Sequence, residues 1–451
     1  MHDIRTLIGK INIIAAQQAM GKTTRRMALS TAALVRGPVK NTRKKIEGIA
    51  EVAAFAEAEA DSWIDPEDIT AGKSGPFDVC DLRHWLIIAE MAGVDAVPAR
   101  EILSLSEDEI SAIDQKVRLP GFIQKSISRG LTRAFPEMKD MPQEPEAKIN
   151  PAEINERLFD AMDDVPANWI VRSNLAGPST LKAFAGAGVI SQGDDAASLD
   201  HNLAIGPGWV RHGNRRRVDA TDSRFIDTFA GAHKPRLHYL ARPWITAGVR
   251  VNGDDPHRHG TPFAGKGNWP LEWRVFVENG VVTGVACYYG WIGSKTAENA
   301  VRALKAAELA QKMVDTARDR GLSTRYMDVE MMREMGSDRA KEMHAQTLSR
   351  FPRDGINCSL DFFEGPDGPL FLEAGPAHTS LGGGHPCSFA GNKADPAHPA
   401  ISECKGVAFK LMDHVIMADP ATWTHDEAST SIASWEEARA LASTKLDNSE
   451  A

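Results

Sequence analysis

The dipeptide Asn279-Gly280, set between "LEWRVFV" and "VVTGVACYYGW", constrains this chain more than any other feature. A two-residue hairpin loop of type I′ needs positive φ at both central positions, and Asn-Gly supplies it most readily. The flanking segments alternate in polarity, so they are expected to pair as antiparallel strands. On the first strand Glu272, Arg274 and Phe276 then share one face, and Trp273, Val275 and Val277 share the other. An arginine in mid-strand among aromatics needs an anion or water. Phosphate suits a guanidinium, although pairing with Glu272 or stacking on a ring accounts for the pattern as well.

A second hairpin is written in "CSLDFFEGPDGPLFLEAGPA". Gly365, Pro366, Asp367 and Gly368 form a turn by composition. With an odd loop of three or five residues, Asp361 and Glu373 face each other across the strands, with Cβ atoms about 5 Å apart. Two like charges that close call for a cation between them. Magnesium takes carboxylates together with phosphate oxygens and is the economical choice. Two solvated acids on an exposed face, or an even loop that separates them, fit the same letters.

Strand-like stretches cluster in the second half of the chain: "WIVRS", "LKAFAG", "LHYLARPWI", the two hairpins, and six of the ten tryptophans between Trp169 and Trp291. One long helix interrupts them from Ser294 to Arg320. Its apolar stripe is read as Ala297, Val301, Leu304, Ala307, Ala310, Met313, Val314 and Ala317, with Gly321 as its stop. A second helix is expected from His398 to Met417. Residues 1–145 are rich in Ala, Glu, Lys and Arg and read as a mainly helical N-terminal region. The proline-rich "PEMKDMPQEPEAKINP" is the linker candidate. Residues 146–420 are then one α+β domain of antiparallel sheets, and residues 421–451 a partly disordered tail with one short helix.

The chain has 451 residues, a net charge of −9 and no apolar run long enough to span a bilayer. Five cysteines lack C-x-x-C spacing, which favours reduced thiols in a cytoplasmic protein over disulfides or zinc. Acidity speaks against a dedicated nucleic-acid binder. The segment between Ile4 and Ile46 has no acid, however, and suits a basic helical surface or an organelle transit peptide.

In "WIVRSNLAGPSTLKAFAG", Arg172 and Lys182 flank a loop of small residues able to lie over phosphates. Taken in order, this stretch, "EWRVFVENGVV", a helix, and "LDFFEGPDGPLFLEAGPA" resemble the ATP-grasp superfamily, in particular the clade named for two arginines and one lysine. The likeness covers roughly residues 165–410. It implies two α+β lobes clasping ATP between antiparallel sheets. Arg172 and Lys182 would match the phosphate-contacting pair, and Arg274 the second arginine, with Lys182 and Arg274 taking the catalytic roles. Asp361 and Glu373 would match the magnesium ligands. "LHYLARPWI" falls at the interlobe hinge, so Ala241, Arg242 and Trp244 would face ATP, and Glu272 would border it. The implied activity is an ATP- and Mg2+-dependent carboxylate–amine or carboxylate–thiol ligase working through an acylphosphate. Its partners would be small-molecule or peptide substrates, with neither membrane nor nucleic acid. One departure stands out: the family's Glu-x-Asn reads Glu373-Ala374-Gly375 here, so the third metal ligand is missing, with His378 or Asp328 as substitutes. That departure suits a non-catalytic ATP-binding assembly factor.

Other stretches invite competing readings. "AAQQAMGKTT" matches a permissive phosphate loop at Gly21, Lys22 and Thr23, the basis of an alternative nucleic-acid-associated NTPase. "DDPHRHGTPFAGKG" offers His257 and His259 beside acids, and "RHGNRRRVDATDSR" concentrates arginines. Both also read as surface loops, as does "LGGGHP".

Overall fold

The computed structural model describes residues 61–106, 108–109, 149–166, 169–174, 183–184, 188–189, 237–245, 247–253, 267–288, 294–326, 342, 355–378, 387–389, 404–409 and 432–449. In chain order they form α1 (Pro66–Thr70), β1 (Gly75–Asp78), α2 (Leu82–Ala92), β2 (Arg100–Leu105), α3 (Pro151–Asp163), β3 (Trp169–Ser173), β4 (Ala183–Phe184), β5 (Gly188–Val189) and β6 (Leu237–Pro243). There follow β7 (Arg250–Gly253), β8 (Gly267–Pro270), β9 (Glu272–Glu278), β10 (Val281–Cys287), α4 (Ala297–Asp319), β11 (Leu322–Arg325), β12 (Cys358–Gly365), β13 (Gly368–Pro376), a 3-10 turn (Cys387–Phe389), β14 (Gly406–Ala408), β15 (Ile432–Ala433) and α5 (Trp435–Ser449).

The Asn-Gly turn forms as the sequence dictates. Glu278 pairs with Val281, and Asn279 and Gly280 take φ of 50° and 77°. This hairpin is the middle of a six-stranded sheet ordered β13-β12-β9-β10-β14-β15. A second sheet, of five strands, runs β2-β6-β3-β4-β5. The architecture is therefore a mixed α/β one, with mainly antiparallel sheets and parallel pairs at β10–β14 and β1–β11.

Alternation along β9 separates two environments. Trp273, Val275 and Val277 enter the main core with Leu360, Phe362 and Phe371, under α2, α4 and α5. Phe276 lies on the other face, in a smaller cluster with Ala286, Cys387 and Phe389. The helices thus cover one face of the large sheet and leave the other for charged residues.

Within the described residues two expectations are corrected and two are added to. The buried stripe of α4 is Ala300, Ala303, Ala306, Ala310, Met313, Val314 and Ala317; Val301, placed on it by periodicity, is 37% exposed. Small alanines let the helix sit close to the sheet, while Leu304 and Ala307 face α5, so the helix has two apolar sides. Second, Gly406–Ala408 is a strand paired in parallel with Gly284–Ala286, not part of a helix. A Cβ on Gly284 would lie 1.9 Å from the Cys404 carbonyl oxygen, so only glycine permits that approach. Third, the region read as mainly helical contributes β1 and β2, which pair with β11 and β6. Trp85 and Ile88 of α2 are fully buried in the main core. Fourth, the short helix of the tail is docked: α5 buries Ala438 and Ala442 in that core, and Trp435 Nε1 donates to the Thr283 carbonyl at 3.2 Å. Among the described residues no helix is long and apolar enough to cross a membrane.

Candidate functional site

The charged face of the large sheet carries a row of side chains set by strand register. Arg274 of β9 is the partner of Asp361 of β12, and Asp361 is the partner of Glu373 of β13. The three side chains therefore stand in line across adjacent strands. Arg274 grips Asp361 with a two-point fork: Nε donates to Oδ1 at 2.7 Å and Nη2 to Oδ2 at 2.6 Å. Burial by itself would pull the Arg274 guanidinium down, but Asp361, with Cys387 adding to it, holds it well above its ordinary range. The guanidinium carbon also lies 4.7 Å from the Tyr288 ring centre, a cation–π contact.

The row extends across to the other sheet. Arg172, on β3, donates through Nη1 to Glu373 Oε2, and its Nε donates to the Ser173 carbonyl at 3.1 Å. The order Arg274, Asp361, Glu373, Arg172 thus sets two adjacent carboxylates between two guanidiniums. Arg242 of β6 completes the group from behind. Its Nη1 donates to the Leu372 carbonyl at 2.8 Å and its Nη2 to the Val97 carbonyl at 2.6 Å. Burial, and then Arg172 beside it, lowers the Arg242 guanidinium to about 9, against the upward pull of Glu373. It remains charged at neutral pH.

The pairing of Asp361 with Glu373 is as expected, but it is reached by another route. The loop is even, two residues between Gly365 and Gly368, and a bulge at Leu372 restores the facing pair. Glu272 is buried on the same face and is close enough to Cys387 to act on its thiol. Burial pushes that thiol up to about 12, against the pull of Arg274. Ala241 is flanked by Arg100 on one side and Val171 on the other, so β6 is an interior strand at that point. Trp244 lies just past its end and is partly buried. His378 packs edge-on against Phe276 at 6.1 Å, which places it on the site's face. Lys182, Lys22, His257, His259, Asp328 and the "RHGNRRRVDATDSR" and "LGGGHP" stretches lie outside the described residues.

Sequence reasoning missed Cys387, which no local pattern marks, and a second polar cluster. There Asp81 caps α2 and holds Arg83 through three contacts of 2.6 to 3.2 Å. His238 Nδ1 lies 2.8 Å from Glu101 and 3.2 Å from Arg83. Only tertiary structure joins these residues. A groove of about 500 Å3, lined by Val282, Leu304, Ala307, Glu308, Trp435 and Arg439, lies on the helix-covered side, away from the charged row.

Two carboxylates side by side, backed by guanidiniums, form a donor set that fits one magnesium ion sharing its shell with phosphate oxygens. A carboxylate gripped by arginine keeps further lone pairs for a metal. Among the described residues no group of three or more His, Cys, Asp or Glu is placed to hold a metal unaided.

No family model and no curated protein matches the chain. Among solved structures, Cdc123 from Schizosaccharomyces pombe and its C-terminally truncated form are similar at 10% identity, covering 70% of this chain and 86% of that one, with a TM-score of 0.28. A likeness at that level carries neither a fold nor a function to this chain.

Proposed function

We propose that the chain binds ATP with magnesium between its two larger sheets in the ATP-grasp manner, and uses it as a carboxylate–amine or carboxylate–thiol ligase. The observation that carries this reading is the row Arg274–Asp361–Glu373–Arg172, drawn from three strands of one sheet and one of the other. Such a row supplies both halves of a metal–triphosphate site. Arg172 and Arg274 would bind phosphate oxygens, with Lys182 from the neighbouring segment, and Asp361 and Glu373 would hold the ion. Bound there, magnesium would neutralise phosphate charge and draw electron density from the transferred group. The base would meet the end of β6 at Pro243 and Trp244, since Ala241 is flanked by strands on both sides.

The chemistry then needs position and charge rather than a protein nucleophile. An oxygen of the substrate carboxylate attacks the γ-phosphorus and ADP leaves. The resulting acylphosphate is attacked at carbon by an amine or thiol, and inorganic phosphate departs. Arg172 and Arg274, released from Glu373 and Asp361, would stabilise charge on the transferred group. None of the five cysteines is in a disulfide and all are buried, which fits the proposed cytoplasmic setting.

One observation favours a second reading. Gly375 occupies the place of the expected third ligand, opposite Ser359, so a nucleotide-binding factor without turnover uses the same site. ATP affinity with and without magnesium tests both. Asp361→Asn combined with Glu373→Gln should abolish the magnesium enhancement seen in the wild type; an unchanged enhancement sinks the metal assignment. ADP release that depends on an added carboxylate and amine supports the ligase, and tight binding without release supports the factor.

A further inference from the structure

The placement of Glu373 depends on a single extra residue. Counted from the two-residue loop, a regular ladder pairs Phe362 with Phe371, as observed, and would next pair Asp361 with Leu372. Instead Asp361 faces Glu373, and Leu372 is the extra residue. Without that bulge Glu373 would stand opposite Leu360, on the face packed into the main core, because one step of register moves a side chain to the other face. The bulge thus makes the carboxylate pair, and whatever holds the bulge holds the pair.

Arg242 holds it. A bulged residue loses its place in the ladder and needs other partners for its main chain. The Leu372 carbonyl receives one arm of the Arg242 fork and the Val97 carbonyl the other, at 2.8 and 2.6 Å. Val97 is joined to the same spot: its N–H donates to the Phe371 carbonyl at 3.0 Å, and the Phe371 N–H donates to the Asp95 carbonyl at 2.9 Å. Segment 95–97 therefore runs beside Phe371 like a short added strand, and Arg242 ties the two together. The Leu372 side chain packs with Val97, Ala247 and Phe363, which seats the bulge from the other side. Arg242 itself is 4% exposed and sits on β6 with Ile170 of β3 as its ladder partner. With both terminal nitrogens committed to main-chain carbonyls, it is poorly placed to contact phosphate.

We propose that Arg242 is a positioning residue, which pins the Leu372 bulge and so sets the side-by-side placement of Asp361 and Glu373 without touching nucleotide or metal. The inference rests on the reading of those two acids as magnesium ligands. A lysine in its place keeps a positive charge but offers a compact ammonium instead of a rigid fork.

The test uses the full chain, with ATP titrated in EDTA and in magnesium chloride, and compares the ratio of affinities. Arg242→Lys is expected to lower the magnesium enhancement by about 10- to 100-fold, the range for loss of a residue that orients metal ligands, while affinity in EDTA stays within about twofold. Deleting Leu372 restores a regular ladder that still places Glu373 opposite Asp361. In that background Arg242→Lys should change the enhancement no further. The idea is overturned if Arg242→Lys keeps the wild-type enhancement, if it weakens ATP equally with and without magnesium, or if its effect persists undiminished after the deletion. A wild type with no magnesium enhancement is a different failure, since it removes the metal reading and the inference together. Should Arg242→Lys fold poorly, hydrogen exchange of wild type and deletion variant over residues 368–378 decides. Slow exchange at 371–373 in the wild type, as slow as in the regular ladder of the deletion variant, supports a pinned bulge, and fast exchange in the wild type overturns it.

Discussion

The two ion pairs of the charged row are built differently. Arg274 and Asp361 sit on neighbouring strands of one sheet, in direct register, with two hydrogen bonds and side chains 11% and 3% exposed. Arg172 and Glu373 reach between two sheets, 201 residues apart in sequence, from Nη1 to Oε2, with the carboxylate 17% exposed. The first pair is an outcome of strand pairing and is as firm as the sheet. The second depends on how the sheets pack and on the bulge beneath Glu373. A site that must exchange internal ion pairs for phosphate and metal has, in the second pair, the contact with less to lose.

The sharpest way to break the comparison is to truncate each acid. Asp361→Ala strands a buried guanidinium beside the Tyr288 ring and Cys387. It should cost about 3–5 kcal/mol in urea denaturation, the range for a buried charge that loses its partner. Glu373→Ala should cost less, about 1–3 kcal/mol, because Arg172 keeps its bond to the Ser173 carbonyl. Equal losses would show that the cross-sheet pair is as integral to the fold as the in-sheet one.

The second polar cluster gives a smaller and pH-dependent effect. Burial, then Arg83, lowers the His238 pKa below its ordinary 6.5, against Glu101 and Asp81. Burial likewise lowers that of His84, against Asp81 and the Ile64 carbonyl. Each histidine is then more readily protonated in the unfolded chain than in the folded one. Their contribution is present above about pH 6.5 and is lost as pH falls from there toward the lowered folded values. Stability measured from pH 7.5 down to 5 should decline, and His238→Gln should flatten part of that slope.

How much of this was legible beforehand follows from the range of each interaction. The Asn279-Gly280 turn, the faces of β9 and the stop at Gly321, whose φ is 66°, are local and were readable. The facing of Asp361 and Glu373 was expected from an odd loop, and the structure reaches it with an even loop and a bulge. No composition rule announces the bulge, because Leu372 is held by Arg242 from another sheet. The α4 stripe was misplaced because alanines on two sides gave periodicity no preference. The entry of β1 and β2 into the sheets was missed because their partners lie more than 130 residues away. Arg274 was found with its phosphate, Glu272 and ring options open; the structure adds Asp361 as its main partner and keeps an aromatic contact.

A last prediction sharpens the comparison from below. Lys305 and Glu308 form an ion pair on the outer surface of α4 at 2.9 Å, with side chains 47% and 67% exposed. By distance it is comparable with the Arg274–Asp361 contacts of 2.6 and 2.7 Å. Exposure sets them apart: water screens the surface pair, and both long side chains lose rotamer freedom in forming it. Lys305→Ala should therefore change stability by no more than about 0.5 kcal/mol, and alanine's helix propensity offsets even that. Thermal or urea denaturation at low and high salt checks it, and a loss near that of Asp361→Ala would show that distance, not burial, ranks the ion pairs of this protein. The expected contrast, several-fold between contacts of similar length, makes the charged row a property of its buried setting.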